Sequence, residues 1–163
     1  MRHGLKHFVQ FYGKDETALI DSVQSFLADG LKGDSPGIVI ATNDHLEKFR
    51  DALSGHRNVL FLDAHEALAK FMAGGKPNRA LFDATIGKAV RERAPSGYLH
   101  AYGEMVAVLW EAGNQDAAIR LEELWNELLA SVPFALYCGY PLEGQDERIV
   151  AVHSEWVEDL KSA

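Results

Sequence analysis

Hydrophobic positions along the chain fall into short continuous runs separated by amphipathic stretches, the alternation expected of strands and helices in an α/β domain. His7 to Tyr12 is aromatic and β-branched and meets Gly13, which predicts a buried strand. Asp15 is placed to cap the helix that follows, in which Leu19, Ile20, Val23, Phe26 and Leu27 share one face up to Gly30. Gly37 to Thr42 is an unbroken apolar run, as in a strand covered on both faces, with Asn43-Asp44 capping a helix that carries Leu46, Phe49 and Leu53. Val59 to Asp63 repeats the unit, and its helix, through Leu68, Phe71 and Met72, is expected to end at Gly74-Gly75. Asn78 then caps a helix bearing Leu81, Phe82, Ile86 and Val90.

Tyr98 to Tyr102 reads as a fourth strand, followed by two helices broken at Gly113-Asn114 that form an antiparallel hairpin, with Val106, Leu109 and Trp110 on one inner face and Leu121, Leu124, Trp125 and Leu128 on the other. Phe134 to Cys138 is the fifth strand, closed by Gly139-Tyr140-Pro141. In the tail, Ile149 to Val152 has strand character, yet Ile149, Val152, His153, Trp156, Val157 and Leu160 keep helical spacing. A C-terminal helix is therefore expected, with Trp156 buried against the sheet and residues 143–147 as the loop that feeds it. The expected fold is α/β and three-layered: a mostly parallel five-stranded sheet with helices on both faces. No domain boundary or internal repeat interrupts residues 1–163.

Composition narrows the function. With 16 Lys+Arg against 24 Asp+Glu, the net charge of -8 opposes binding to nucleic acid. A single cysteine, Cys138, excludes an internal disulfide and a Cys-x-x-Cys clasp, and fits a reducing, cytoplasmic setting. No window approaches the roughly 20 apolar residues of a membrane helix, and the amino terminus has no signal-peptide core.

The motifs that carry common chemistries are broken. Gly13-Lys14 sits where a phosphate loop would follow the first strand, but Asp15 stands in place of the Ser or Thr, and Phe8 occupies the position of the first glycine. Asp15 and Glu16 also bring negative charge to the helix end that a phosphate would use. His65-Glu66 lacks the second histidine of a zinc-protease helix, since position 69 is alanine. The seven histidines show no ligand spacing apart from His3 and His7, which favours structural or solvent-facing roles and no metal. No serine nucleophile elbow is present, and Cys138 within an apolar strand reads as a small hydrophobe. Glu104 follows the fourth predicted strand and Asp63 ends the third, both at the carboxyl edge, where open α/β sheets place ligands; an acidic group in a first helical turn is also favoured by the dipole alone. Trp110 and Trp125 read as hairpin core, and Glu122 beside them as either a buried partner or a solvated residue.

Six runs in order, His7-Phe8-Val9-Gln10-Phe11-Tyr12, Asp63-Ala64, Gly103-Glu104-Met105, Leu109-Trp110, residues 121–126 and Cys138-Gly139-Tyr140-Pro141, together with His153-Ser154, resemble the MEDS family, the DcmR-like sensory domain of methanogens and methylotrophs. The resemblance implies a KaiC/RecA-like sheet with a degenerate phosphate loop, one sensory domain over residues 1–163, and a role in signalling without catalysis or cofactor. It also implies an unknown small organic ligand and, since no kinase segment or DNA-binding helix pair is attached, output through a separate signalling protein such as a histidine kinase or regulator. The expected ligand-binding residues at the sheet edge are Tyr12, Thr42, Asp63, Tyr102, Glu104 and Tyr140. The alternative is a nucleotide-binding RecA-like domain in which Lys14 and Thr17 still contact phosphates; a pure interaction scaffold would lack a pocket altogether.

Overall fold

The computed structural model describes residues 6–31, 35–141, 147–153 and 155–158. Its centre is a six-stranded sheet, every neighbouring pair parallel, built from β1 (Lys6–Tyr12), β2 (Gly37–Ala41), β3 (Val59–Asp63), β6 (Leu99–Gly103), β7 (Phe134–Pro141) and β8 (Glu155–Glu158). The order across the sheet is β3-β2-β6-β7-β1-β8. The five expected strands are all present and parallel. β2 is buried along its length because it lies between β3 and β6, whereas β3, at the edge, is half-buried.

Strand alternation sends successive side chains to two cores. One is formed by Val39, Ala41, Tyr102 and Tyr137 against α1 (Glu16–Leu31) and α2 (Asn43–Ala52). The other is formed by Val9, Phe11, Ile38, Ile40, Leu136 and Cys138 against helices of the opposite layer. That layer holds α3 (Ala64–Ala69), α6 (Met105–Glu111) and α7 (Gln115–Ser131), with α8 (Glu147–Val152) packed on α7. The arrangement is thus three-layered, with α6 and α7 packed together as the expected hairpin.

Several local expectations change. The helix after β3 stops at Ala69, and Gly74 and Gly75, at φ 59° and 79°, instead turn a hairpin of β4 (Met72–Ala73) and β5 (Lys76–Pro77). Asn78 does cap the next segment, accepting from Leu81 N–H at 2.9 Å, but α4 (Arg79–Phe82) and α5 (Lys88–Arg93) are joined by a π-helical turn over Asp83–Gly87. α1 runs through Gly30 to Leu31. The tail is the largest correction. The helical spacing holds only through α8, which ends at Val152; Glu155–Glu158 then pair with β1, Val9 opposite Trp156. The open edge of β1 supplies unpaired backbone groups that an extended segment satisfies and a helix cannot. Leu160 and the expected burial of the Trp156 side chain lie outside the described residues; of the loop expected at 143–147, residues 143–146 lie outside them too, and Glu147 is the first residue of α8.

Candidate functional site

The chain leaves β2 through α2 on one face and leaves β6 through α6 on the other, so the β2/β6 border is a topological switch point, where parallel sheets open a crevice at their carboxyl ends. Glu104, the residue after β6, fills that crevice and is 2% exposed. Its backbone N–H donates to Ile40 C=O at 3.0 Å, tying it to the end of β2. Oε1 accepts from Thr42 N–H at 2.7 Å and from the Thr42 hydroxyl at 3.0 Å, while Oε2 accepts from the Tyr102 hydroxyl at 2.7 Å. His45 Nδ1 lies 2.9 Å from both oxygens, and His45 Nε2 lies 2.8 Å from Glu16 Oε2. Lys48 completes the chain by donating to Glu16 Oε1 at 2.7 Å.

Helix geometry explains how these groups meet. His45 and Lys48 are three apart on α2, so both face α1, and Glu16 is the first residue of that helix. Thr42 occupies the N-cap position of α2 but makes no side-chain cap, because its hydroxyl serves Glu104 instead. With a carboxylate at each ring nitrogen, His45 is an imidazolium: burial opposes the charge, but Glu104 and then Glu16 outweigh it and raise the pKa to about 9. Burial, and then the Glu104 charge, drives the Tyr102 phenol well above its usual range, so it remains a donor. Lys48 and His45 hold Glu16 below the usual carboxylate range. Above this network lies an open cleft of about 390 Å³, lined by Lys14, Asp15, Glu16, Thr17, Ile20 and Lys48.

The structure brings Thr42, Tyr102 and Glu104 into one network and places Tyr12 against it, 6.0 Å from His45 between ring centroids. It does not bring in the other two expected residues. Asp63 caps α3, accepting from Glu66 N–H at 3.0 Å, and lines a separate cavity with Leu60, Leu62 and Glu66. Tyr140 faces the opposite core and donates to Glu122 Oε2 at 2.8 Å. His45 and Glu16 went unrecognised in the sequence: a histidine on the buried face of α2, alongside Leu46 and Phe49, was the available signal.

Tyr140 belongs to a second polar cluster on the α7 side of the sheet. Glu122 is fully buried there, with His7 Nε2 3.1 Å from Oε1 and His153 Nε2 2.9 Å from Oε2. Cys138 Sγ lies 3.5 Å from both His7 Nε2 and Glu122 Oε1. Burial, followed by the neighbouring His153, pulls His7 below its ordinary pKa, while burial and then Glu122 push the Cys138 thiol up. Burial also opposes the charge on Glu122, yet the two imidazoles beside it keep its pKa below the usual range. Of the histidines, His7, His45 and His153 are buried in polar clusters, while His56 and His65 are exposed.

The fold and these clusters meet an independent finding: residues 6–154 match the model of the family described as MEDS, MEthanogen/methylotroph, DcmR Sensory domain. The chain belongs to the MEDS family. No curated protein matches the chain. The match runs from β1 to the residue before β8, so both polar clusters of this MEDS domain lie inside the family region. The family is described as a sensory one, which supports a sensor role for the chain.

Proposed function

We propose that this MEDS domain is a non-catalytic, cytoplasmic sensor that binds a small organic ligand in the cleft at the carboxyl edge of the sheet and signals through a separate protein. The observation that carries this reading is the Glu104–His45–Glu16 chain of contacts at the switch point, which runs from a buried carboxyl group to a partly exposed one on the cleft wall. A ligand with a hydrogen-bonding head that displaces Glu16 from His45 changes how α1, α2 and the start of α6 are held together. That is a local electrostatic event with a reach of three helices. In this reading Glu16 and Lys48 meet the ligand on the cleft wall, and His45, Glu104, Thr42, Tyr102 and Tyr12 form the buried network behind them; Asp63 and Tyr140 are left out because they face elsewhere.

A KaiC/RecA-like ancestry with a lapsed phosphate loop is part of the same reading. It is supported by Asp15, whose carboxylate takes the Thr17 N–H at 3.0 Å, an amide a phosphate would otherwise contact. A cytoplasmic setting agrees with the single buried thiol and with the fact that no helix among the described residues is long and apolar enough to cross a membrane.

The test is calorimetric titration with a panel of short-chain alcohols, amines, carboxylates and halogenated one-carbon compounds, alongside magnesium–ATP. The expected result is saturable binding by a panel member, weakened at least about tenfold in Glu16→Gln, a change of about 1.4 kcal/mol. Magnesium–ATP binding that is lost in Lys14→Ala would replace this reading with the nucleotide one, and a panel without a binder would remove its support.

A further inference from the structure

We propose that His7, Glu122, Cys138 and His153 form a buried site for a divalent transition-metal ion of the zinc type, separate from the carboxyl-edge cleft. Four ligand atoms, two imidazole nitrogens, a thiol sulfur and a carboxylate oxygen, lie within 4.8 Å of one another. Metal–ligand bonds of about 2.0–2.3 Å at tetrahedral angles place ligand atoms about 3.3–3.7 Å apart. The observed separations of 3.1 Å from His7 Nε2 to Glu122 Oε1, and 3.5 Å from Cys138 Sγ to each of those atoms, are close to the edges of such a tetrahedron.

The hydrogen bonds behind the ligands point the same way. Asn126 Nδ2 donates to Val152 C=O at 2.7 Å, which turns Asn126 Oδ1 toward His7 Nδ1, 2.8 Å away. That oxygen can only accept, so His7 Nδ1 carries a proton, and Nε2 is the ring nitrogen turned to the carboxylate. His153 repeats the pattern. Its Nδ1 donates to Ile149 C=O at 2.6 Å, and its Nε2, fully buried, finds no hydrogen-bond partner although Glu122 Oε2 is 2.9 Å away. With each Nδ1 turned to an acceptor, both Nε2 atoms face one buried carboxylate across a gap that a proton or a cation must fill, and an Nδ1–H anchored on an oxygen acceptor is how metal-ligating imidazoles are oriented.

The charge balance favours the ion. Binding M²⁺ breaks the Cys138 S–H bond and releases that proton to solvent, forming a metal–thiolate bond; with the Glu122 carboxylate, the two negative ligands cancel the ion's charge, and the site becomes neutral within an apolar core. The ligands come from β1, α7, β7 and the residue after α8, so the ion would clamp the end of α8 to the sheet. The site was invisible at ligand spacing because its members are dispersed at positions 7, 122, 138 and 153.

The experiment uses the full chain expressed in zinc-supplemented medium, passed through a desalting column with a weak chelator, and assayed for zinc by mass spectrometry and X-ray absorption. The expected result is about one zinc per chain, with a sulfur at about 2.3 Å and nitrogen or oxygen ligands at about 2.0–2.1 Å. Cobalt substitution should give thiolate-to-metal charge-transfer absorption that Cys138→Ser abolishes, and His153→Gln should weaken zinc affinity at least about tenfold. If a variant fails to fold, the X-ray absorption of the unsubstituted protein decides alone. A protein free of zinc, or zinc coordinated without sulfur, would overturn the proposal.

Discussion

Replacing Glu104 with glutamine removes one charge from a crevice already filled with donors, and the structure sets the cost. His45 rises from 6.5 to about 9 in the folded protein. At about 1.36 kcal/mol per unit, that shift corresponds to about 3 kcal/mol of folding stability, of which Glu104 contributes more than Glu16. Glutamine also turns an amide NH₂ toward Tyr102 or His45, leaving a buried donor facing a donor, at about 1 kcal/mol or more. The expected total for Glu104→Gln is about 3 kcal/mol at pH 6. The pH dependence gives a second reading. Because the folded pKa lies above the unfolded one, the His45 contribution is fully present below pH 6.5 and is lost as pH rises through about 9. Urea denaturation at pH 6 and pH 9.5 should therefore show a loss for the unsubstituted protein that exceeds the loss for Glu104→Gln by about 1–2 kcal/mol. If Glu104 only supported its helix through the dipole, the substitution would cost about 0.3–1 kcal/mol with the pH dependence unchanged, and that result would refute the reasoning.

Two further outcomes follow from close contacts. A Cβ added at Gly139 would lie 2.5 Å from the Tyr102 hydroxyl, so Gly139→Ala should cost about 1–3 kcal/mol, and adding Tyr102→Phe should cost less in G139A than in the unsubstituted protein; strictly additive melts would remove the clash as the cause. Tyr140→Phe keeps the ring and deletes its bond to buried Glu122, at an expected cost of about 1.5–3 kcal/mol by urea denaturation, where a loss below about 0.5 kcal/mol would show that the bond contributes little.

By itself the sequence determined the alternation of buried strands and amphipathic helices, and with it the parallel sheet, because those signals are local: an apolar run such as Gly37–Ala41, or a stripe such as Leu121, Leu124, Trp125 and Leu128, states its own period. The same local logic marked Glu104, Thr42 and Tyr102 as lying at strand ends, and the strand order then placed them together. What the sequence left open depends on which strands become neighbours. His45 and Glu16 join Glu104 because α1 and α2 pack on one face, and His7, Glu122, Cys138 and His153 converge because β7 lies beside β1 beneath α7. The tail shows the limit most directly. Helical spacing from Ile149 to Leu160 was a true local pattern, but the unpaired edge of β1 decided the conformation of Glu155–Glu158, since the free energy of satisfying a strand edge is set by tertiary structure and has no trace in the period of the segment that fills it.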